Sequence, residues 1–455
     1  MRATLRVLTV LTLAPISLIA APLYSAHAAA VASTNTDASG VCTQTVDNSS
    51  SVSVFRYGSE CVVLFKRVGQ TMWTVPAGVS KIATLIIAGG GGGGYDVSGG
   101  GGAGGLLYYG AETPKTPNGD SLTITAGTVT VSVGDGGAGA TSTTTPLGAD
   151  ATGRGGNGSN SYITLPSSAT YTALGGGGGN SRNNSNTAQS GGSGGGGGYG
   201  NGSPTLAGSG TGTGITLQGY GGGRLTGGNG AGGGGGGAGS AGLNWNDAGG
   251  ADIGTGGAGL QYSISGTATY YAGGGGAGSW KAMGGAGGVG GGGAGGSTDY
   301  NTCRTNCSTM FLAQSGNSGT ANTGGGGGGS GNAQASAPAG AGGSGIVIIR
   351  YALTLTSTST LTIPNGGFVY RAPTAITVTT SSSGFVDFKA NGKYIPGCRS
   401  VLSSAGNSYV ATCNYKSSIH GSVIITTLFR PSDAGYLPSS ATSGPSAIST
   451  RIIKR

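Results

Sequence analysis

Short apolar stretches recur along this chain, each bounded by turn residues. Near the start come SVSVFRY (Ser51–Tyr57), CVVLFKR (Cys61–Arg67) and TMWTVP (Thr71–Pro76). Further on come KIATLIIA (Lys81–Ala88), SLTITAGTVTVSV (Ser121–Val133), SYITL (Ser161–Leu165), GITLQGY (Gly214–Tyr220), LQYSISGTATYYA (Leu260–Ala272) and SGIVIIRY (Ser344–Tyr351). Their length and their β-branched and aromatic content predict strands, with Trp73 in the core. After residue 352 the pattern sharpens. Val386, Phe388 and Ala390 alternate with Asp387 and Lys389, so one sheet face is apolar and the other wet. Asn391-Gly392 then marks a tight hairpin. SYVATCNYK (Ser408–Lys416) and GSVIITTLF (Gly421–Phe429) supply later strands.

Between the strands lies glycine, at 105 of 455 residues. Glycine at this level usually signals low complexity, but charged residues are only 8%, which argues against charge-driven disorder. The glycines come in runs: Gly89–Gly94, Gly99–Gly102, Gly175–Gly179, Gly194–Gly198, Gly232–Gly237, Gly273–Gly276 and Gly324–Gly329. A flexible tether has no reason to return to Ile and Val between runs of repeated length. Collagen is excluded, because its strict third-residue period is absent. The extended left-handed helix remains. It has three residues per turn and no internal hydrogen bonds, and six residues span roughly 19 Å. Its backbone groups must find partners laterally if buried. The fold class expected is all-β: a β-sandwich-like framework carrying a stack of polyglycine II helices, then a second β-sandwich.

The first residues predict a secretory signal peptide over 1–28. Arg2 and Arg6 precede an apolar run from Val7 to Ala21, and Ala26-His27-Ala28 offers small residues for cleavage. No later run is long enough to span a bilayer, so a secreted chain, extracellular or held at the cell surface, without a transmembrane segment is expected. Its six cysteines fit that compartment as disulfides. Sequence proximity pairs Cys42 with Cys61, Cys303 with Cys307 and Cys398 with Cys413, although other pairings are open. The formal charge is +9, and from Ala352 onward nine Lys/Arg stand against two Asp. The basic excess therefore lies at the C-terminal end, too sparse for nucleic-acid binding.

Borders of the glycine-rich zone carry a resemblance. WTVPAGVSKIATLIIAGGGGGG at its start and GGSGIVIIRY at its end, with VTVSVGDGGAGA, TALGGGGG, YYAGGGGAG and NTGGGGGG between them, are similar to a bacterial and phage glycine-rich domain family over about 72–351. Related regions occur in phage tail-tip adhesins and in anaplastic-lymphoma-kinase-type receptors. The resemblance implies stacked polyglycine helices growing out of a β-sandwich. Residues 352–442 resemble a bacterial Ig-like module, with Cys398 and Cys413 tying two strands. The organisation expected is a signal (1–28), an N-terminal β region with a disulfide (29–80), a glycine-rich domain (81–351), an Ig-like domain (352–442) and a basic tail (443–455).

Catalytic chemistry is sparse. The run at Gly89–Gly94 satisfies a dinucleotide fingerprint trivially, but no helix follows to face a pyrophosphate. Gly91 to Asp96 matches part of a calcium β-roll repeat without a second copy. Gly191–Gly195 matches a nucleophile elbow around Ser193, but after the signal the only histidine is His420, in a different zone. The acids number eleven Asp and two Glu, Glu60 and Glu112, and form no evident pair. No enzyme, cofactor or metal is expected. Binding loops are: Tyr95 and Asp96, Arg182 and Asn183, Trp245 and Asn246, Trp280, and Tyr300 beside Cys303 and Cys307. Aromatic and amide side chains of this kind suit recognition from a rigid scaffold. For Trp245 and Trp280 two readings stand, ligand contact or packing against the glycine stack. The function expected is non-catalytic recognition of a cell-surface glycan or protein. The alternative is a structural component of an envelope or matrix without a discrete ligand.

Overall fold

The computed structural model describes residues 33–37, 42–47, 52–112, 118–141, 153–182, 187–199, 218–224, 230–245, 254–280, 283–297, 314–331, 337–352, 355–403, 409–433 and 435–449. The signal region and Asn183, Asn246, Tyr300, Cys303 and Cys307 lie outside them. Among the described residues there is no α-helix, and none long and apolar enough to cross a membrane. The fold is all-β, with sheets that are mostly antiparallel.

Two sheets sandwich the first core. One runs Ser33–Thr36, Thr43–Val46, Gly69–Thr74, Thr128–Val133, Ser161–Thr164, Thr170–Ala173 in spatial order. The other runs Val52–Tyr57, Glu60–Phe65, Ile346–Ala352, Lys81–Ile87, Leu106–Tyr109, Asn118–Gly119. Val46, Trp73, Val129, Val131 and Ile163 of the first meet Val63, Phe65, Ile86, Leu107, Val347 and Ile349 of the second. The second sheet is buried on its other face too. There Leu64, Leu85, Ile87 and Ile348 pack against Tyr262, Ile264 and Tyr271 of the hairpin formed by Leu260–Tyr262 and Thr269–Tyr271. Burial on both sides explains why KIATLII and IVII read as continuous apolar runs rather than alternating ones.

The expected break at residue 80 is not a structural boundary. Ile346–Ala352 inserts between Glu60–Phe65 and Lys81–Ile87, so the N-terminal strands and the glycine-rich segment share both sheets. Cys42 and Cys61 form the expected disulfide across this core. Trp73 is fully buried, as its sequence context suggests, and its indole N–H donates to the Gln44 side-chain oxygen at 2.6 Å. The Gln44 amide in turn donates to the Tyr351 hydroxyl, whose pKa burial pushes up to about 12. Trp73, Gln44 and Tyr351 thus satisfy one another across the core.

Above the sandwich the strands become glycine rods. Ala88–Gly94 shows the rule. Gly89 and Gly92 donate N–H to Ser159 and Gly156, Gly90 and Gly93 to Gly343 and Gly340, and Gly91 and Gly94 to Gly102 and Gly99, all at 2.8–3.0 Å. Their carbonyls accept in the same rotation: from Gly176 and Gly179, from Gly137 and Ala140, and from Gly327 and Ser330. Successive residues face different neighbours, and every third returns to the same one, as three residues per turn requires. The rod is enclosed by six others and every backbone group from Gly89 to Gly94 is satisfied.

Sheet register passes unbroken into the rods. In the hairpin of Lys81–Ile87 and Leu106–Tyr109, Thr84 faces Tyr109 and Ile87 faces Leu106. Continuing upward on the same count, Ala88 bonds Gly105, Gly91 bonds Gly102 and Gly94 bonds Gly99. The same holds where Ile346 faces Ile87 and then Gly343 bonds Gly90, and where Val131 faces Ile163 and then Asp135 bonds Ser159. Contacts between the two sheets change instead. Packed sheets stand about 10 Å apart because side chains fill the gap. Where those side chains become hydrogen atoms, the layers close until Gly137 bonds Gly90 and Gly176 bonds Gly89 directly, at 2.8 and 2.9 Å. The stack is the sandwich continued with its core thickness removed.

Outer rods show the three-residue period as an exposure pattern. Asp135, Ala138 and Thr141 face solvent while Gly137 and Ala140 are buried. Met283, Ala286 and Val289 likewise face out while Gly285 and Gly288 are buried.

Strands from Leu355 to Ser449 enclose a separate core. Ser359–Thr362, Pro373–Thr380 and Tyr409–Lys416 form one sheet. Gly384–Ala390, Lys393–Tyr394, Val401–Ser403, Ile425–Pro431 and Ser439–Thr442 form another. Ile376, Val378, Ala411 and Val386, Phe388, Phe429 meet between them, joined by the expected Cys398–Cys413 disulfide. The hairpin at Asn391-Gly392 is as expected, both residues having positive φ (48° and 79°). Asp433 takes an ion pair from Arg56 of the first sandwich.

Asp387 is buried on the outer side of the five-stranded sheet and forked by Arg430. Arg430's hydrogen bonds hold the Asp387 carboxyl below its ordinary range against the opposing effect of burial, with the Ser400 N–H adding to the shift. A folded-state pKa below the unfolded one gives stability that is present above the unfolded value, near about 4, and is lost as pH falls through the folded one. The melting temperature is therefore expected to hold at neutral pH and to fall in acid. Asp387→Asn should lower it at neutral pH and flatten the acid limb. An unchanged acid limb in Asp387→Asn, measured by calorimetry across pH 2–7 (a range of about five units), would contradict this assignment.

Candidate binding surface

Rods that leave the strands all end at the face of the stack opposite the sandwich. The turn Tyr95–Ser98 closes the central rod there and ties the other ends together. Tyr95 N–H donates to Gly153, Val97 N–H to Gly331, and Arg182 N–H to the Asp96 carbonyl. Tyr199 N–H donates to Val97, and Gly278 N–H to Ser98. Asp96 N–H is held by the Ser330 hydroxyl at 2.8 Å. Asp96 and Val97 both have positive φ (63° and 46°), an unfavourable region for a β-branched residue. The strain at Val97 is offset by burial: its side chain forms a small apolar cluster with Tyr199, Ala231 and Trp245, with Trp280 packed alongside.

This corrects the expected exposure of several residues. Tyr95 and Asp96 are buried, because the rod they terminate is surrounded on every side. Trp245 is buried as well, its ring lying so close to Gly230 that an added Cβ would sit 2.9 Å from Cζ2. Of its two readings, packing is the one this geometry follows. Arg182 and Trp280 remain partly exposed. The Arg182 guanidinium lies 3.9 Å from an Asp96 carboxylate oxygen and 5.3 Å from the centre of the Tyr199 ring. Arg154, which donates to the Thr187 carbonyl, and Arg224, whose N–H donates to the Asn244 side chain, stand at the same end. Val97, Tyr199, Ser330 and these two arginines were not singled out by sequence. The only available signal was their position at the ends of glycine runs. The other sequence matches are absorbed elsewhere: Ser193 is buried in the bend before the rod Gly194–Gly198, and His420 stacks on Tyr370 with ring centres 3.9 Å apart.

The two ends of the stack differ in their connections. At the sandwich end, Ala238–Gly242, Val289–Gly291 and Thr320–Gly324 turn tightly. At the far end Tyr95–Ser98 also turns tightly, but the chain enters the longer segments 142–152, 246–253 and 298–313 there; 200–217 joins the far end at Tyr199 to the sandwich end at Gln218, and all four lie outside the described residues. The arrangement is that of an all-β scaffold whose rods are sealed by one buried turn. A family model described as Glycine-rich domain matches residues 66–352. The match covers more than half of the chain, and the chain belongs to that family. No curated protein matches it.

Proposed function

We propose that this protein is exported and acts as a non-catalytic recognition protein of the cell surface, binding a glycan or protein through the segments that leave the far end of the stack. The observation that carries this reading is that three long segments, 142–152, 246–253 and 298–313, leave the rods at the sealed end. Rigid scaffolds with loops gathered at one end are suited to recognition. The N-terminal apolar run and two disulfides support export. The border motifs resemble a glycine-rich family with related regions expected in phage tail-tip adhesins, and the binding role is argued from that resemblance by analogy alone. The C-terminal strands serve as an Ig-like module in this reading.

The test is saturable binding of the purified full chain to whole cells and to a glycan panel. Replacing 246–253 or 298–313 by glycine-serine linkers is expected to abolish binding with melting unchanged. Trp245→Ala is expected to act on stability instead, costing about 3 kcal/mol through the emptied cap. Absence of saturable binding to any surface would favour the structural envelope component over a recognition protein.

A further inference from the structure

The outer face of the five-stranded C-terminal sheet faces solvent, as expected, but it is not uniformly polar. Cross-strand register places Phe385 beside Leu402 and Arg430, Asp387 beside Leu428, and Lys389 beside Thr426 and Tyr394. Phe385, Tyr394, Leu402 and Leu428 are 43%, 44%, 56% and 40% exposed. Single exposed apolar residues are ordinary; a group gathered on one face marks an interaction surface. A shallow pocket lined by Asp387, Lys389, Tyr394, Thr426, Thr427 and Leu428 adjoins them.

The exposed charge on this face is positive, because Asp387 is buried beneath Arg430. From residue 352 onward the chain has no Glu and two Asp, and both are engaged, Asp387 by Arg430 and Asp433 by Arg56. Lys389 and Arg399 instead lie over the Tyr394 ring, 4.6 and 4.7 Å from its centre. The ring holds two cations in place at the border of the apolar group. An apolar centre with a charged rim is the anatomy of a protein–protein interface.

We propose that this face docks an acidic protein segment, its carboxylates meeting Lys389 and Arg399 and its apolar side chains covering Phe385, Leu402 and Leu428. A second copy of the chain fits worse, because a symmetric contact would bring the same cations together. An anionic polysaccharide would answer the cations but leave the three apolar side chains uncovered, and the Tyr394 ring is already occupied.

The experiment titrates the full chain by calorimetry with a synthetic peptide of alternating glutamate and leucine. Polyglutamate and dextran sulfate serve as purely anionic probes, all at about 0.15 M salt. The mixed peptide is expected to bind about tenfold or more tightly than either polyanion. Leu402→Ser with Leu428→Ser should weaken it about tenfold, and Lys389→Glu with Arg399→Glu by at least as much. These side chains lie at the surface, so unchanged melting is the folding control, with Lys389→Gln and Arg399→Gln as the milder pair. Equal binding of dextran sulfate and the peptide, insensitive to the leucine changes, overturns the proposal in favour of a polyanion site. No saturable binding of the peptide, or self-association through this face, also overturns it.

Discussion

Gly92→Ala is expected to cost about 4 kcal/mol or more and to leave little folded protein. An added Cβ at Gly92 would sit 2.0 Å from the Ala138 carbonyl oxygen. That obstacle is backbone, which cannot rotate away as a side chain can. The two rods must part, and the bonds Gly92 makes to Gly156 and receives from Gly179 go with them. Every glycine from Gly89 to Gly94 faces a carbonyl oxygen at 1.9–2.3 Å in this way, and Gly234→Val meets the Thr255 oxygen at 2.0 Å. Two controls grade the effect. At Gly156 the nearest atom is 3.1 Å away, and about 1 kcal/mol is expected for alanine there. At Gly444 nothing lies within 4 Å, and alanine should be neutral within about 0.5 kcal/mol. Denaturant midpoints for the three variants should fall in that order. A Gly92→Ala protein that melts like wild type would refute the lateral packing of the rods.

Removing the Cys42–Cys61 disulfide, as Cys42→Ala with Cys61→Ala, is expected to cost about 3 kcal/mol. The two residues are 19 apart in sequence, and the bridge ties the start of Thr43–Val46 in one sheet to Glu60–Phe65 in the other. A cross-link restricts the unfolded chain more than the folded one. Both sulfurs also sit in the apolar core, so their loss adds a packing deficit. Equilibrium unfolding in urea measures the difference. The same curve for wild type and the double variant would mean that the sheets are held without the bridge.

Much of this architecture was legible in sequence because local chemistry decides it. Lys81–Ile87 and Ile346–Ala352 read as strands, the Asn391-Gly392 turn as a hairpin, and the glycine runs as rods, since only glycine admits a neighbouring backbone so closely. What was not legible depended on distant partners. Ile346–Ala352 completes a sheet begun nearly three hundred residues earlier, and no local pattern shows that. Tyr95-Asp96-Val97-Ser98 has the composition of an exposed turn. It is buried because the rod it ends is the central one, a fact about the other rods. Likewise Asp387 reads as a solvated position until Arg430, 43 residues on, is placed against it. One signal was present and unused: in Met283–Val289 the side-chain-bearing residues fall three apart, in Asp135–Thr141 all but the small, buried Ala140 do, and those are the rods that face solvent.

Continuity of register from strand to rod also governs how such a chain can change in length. One residue inserted within Ala88–Gly94 would turn the rest of the rod by a third of a revolution, and each N–H would point at the wrong neighbour. Three residues would restore the phase, but the added turn would stand bare unless the surrounding rods lengthened with it. Rod length is therefore set collectively, by all the rods in contact. Residues added beyond Trp245 or Ser297 meet no such condition. Insertions are therefore expected to be tolerated at the far end, where they leave the phase of the rods unchanged.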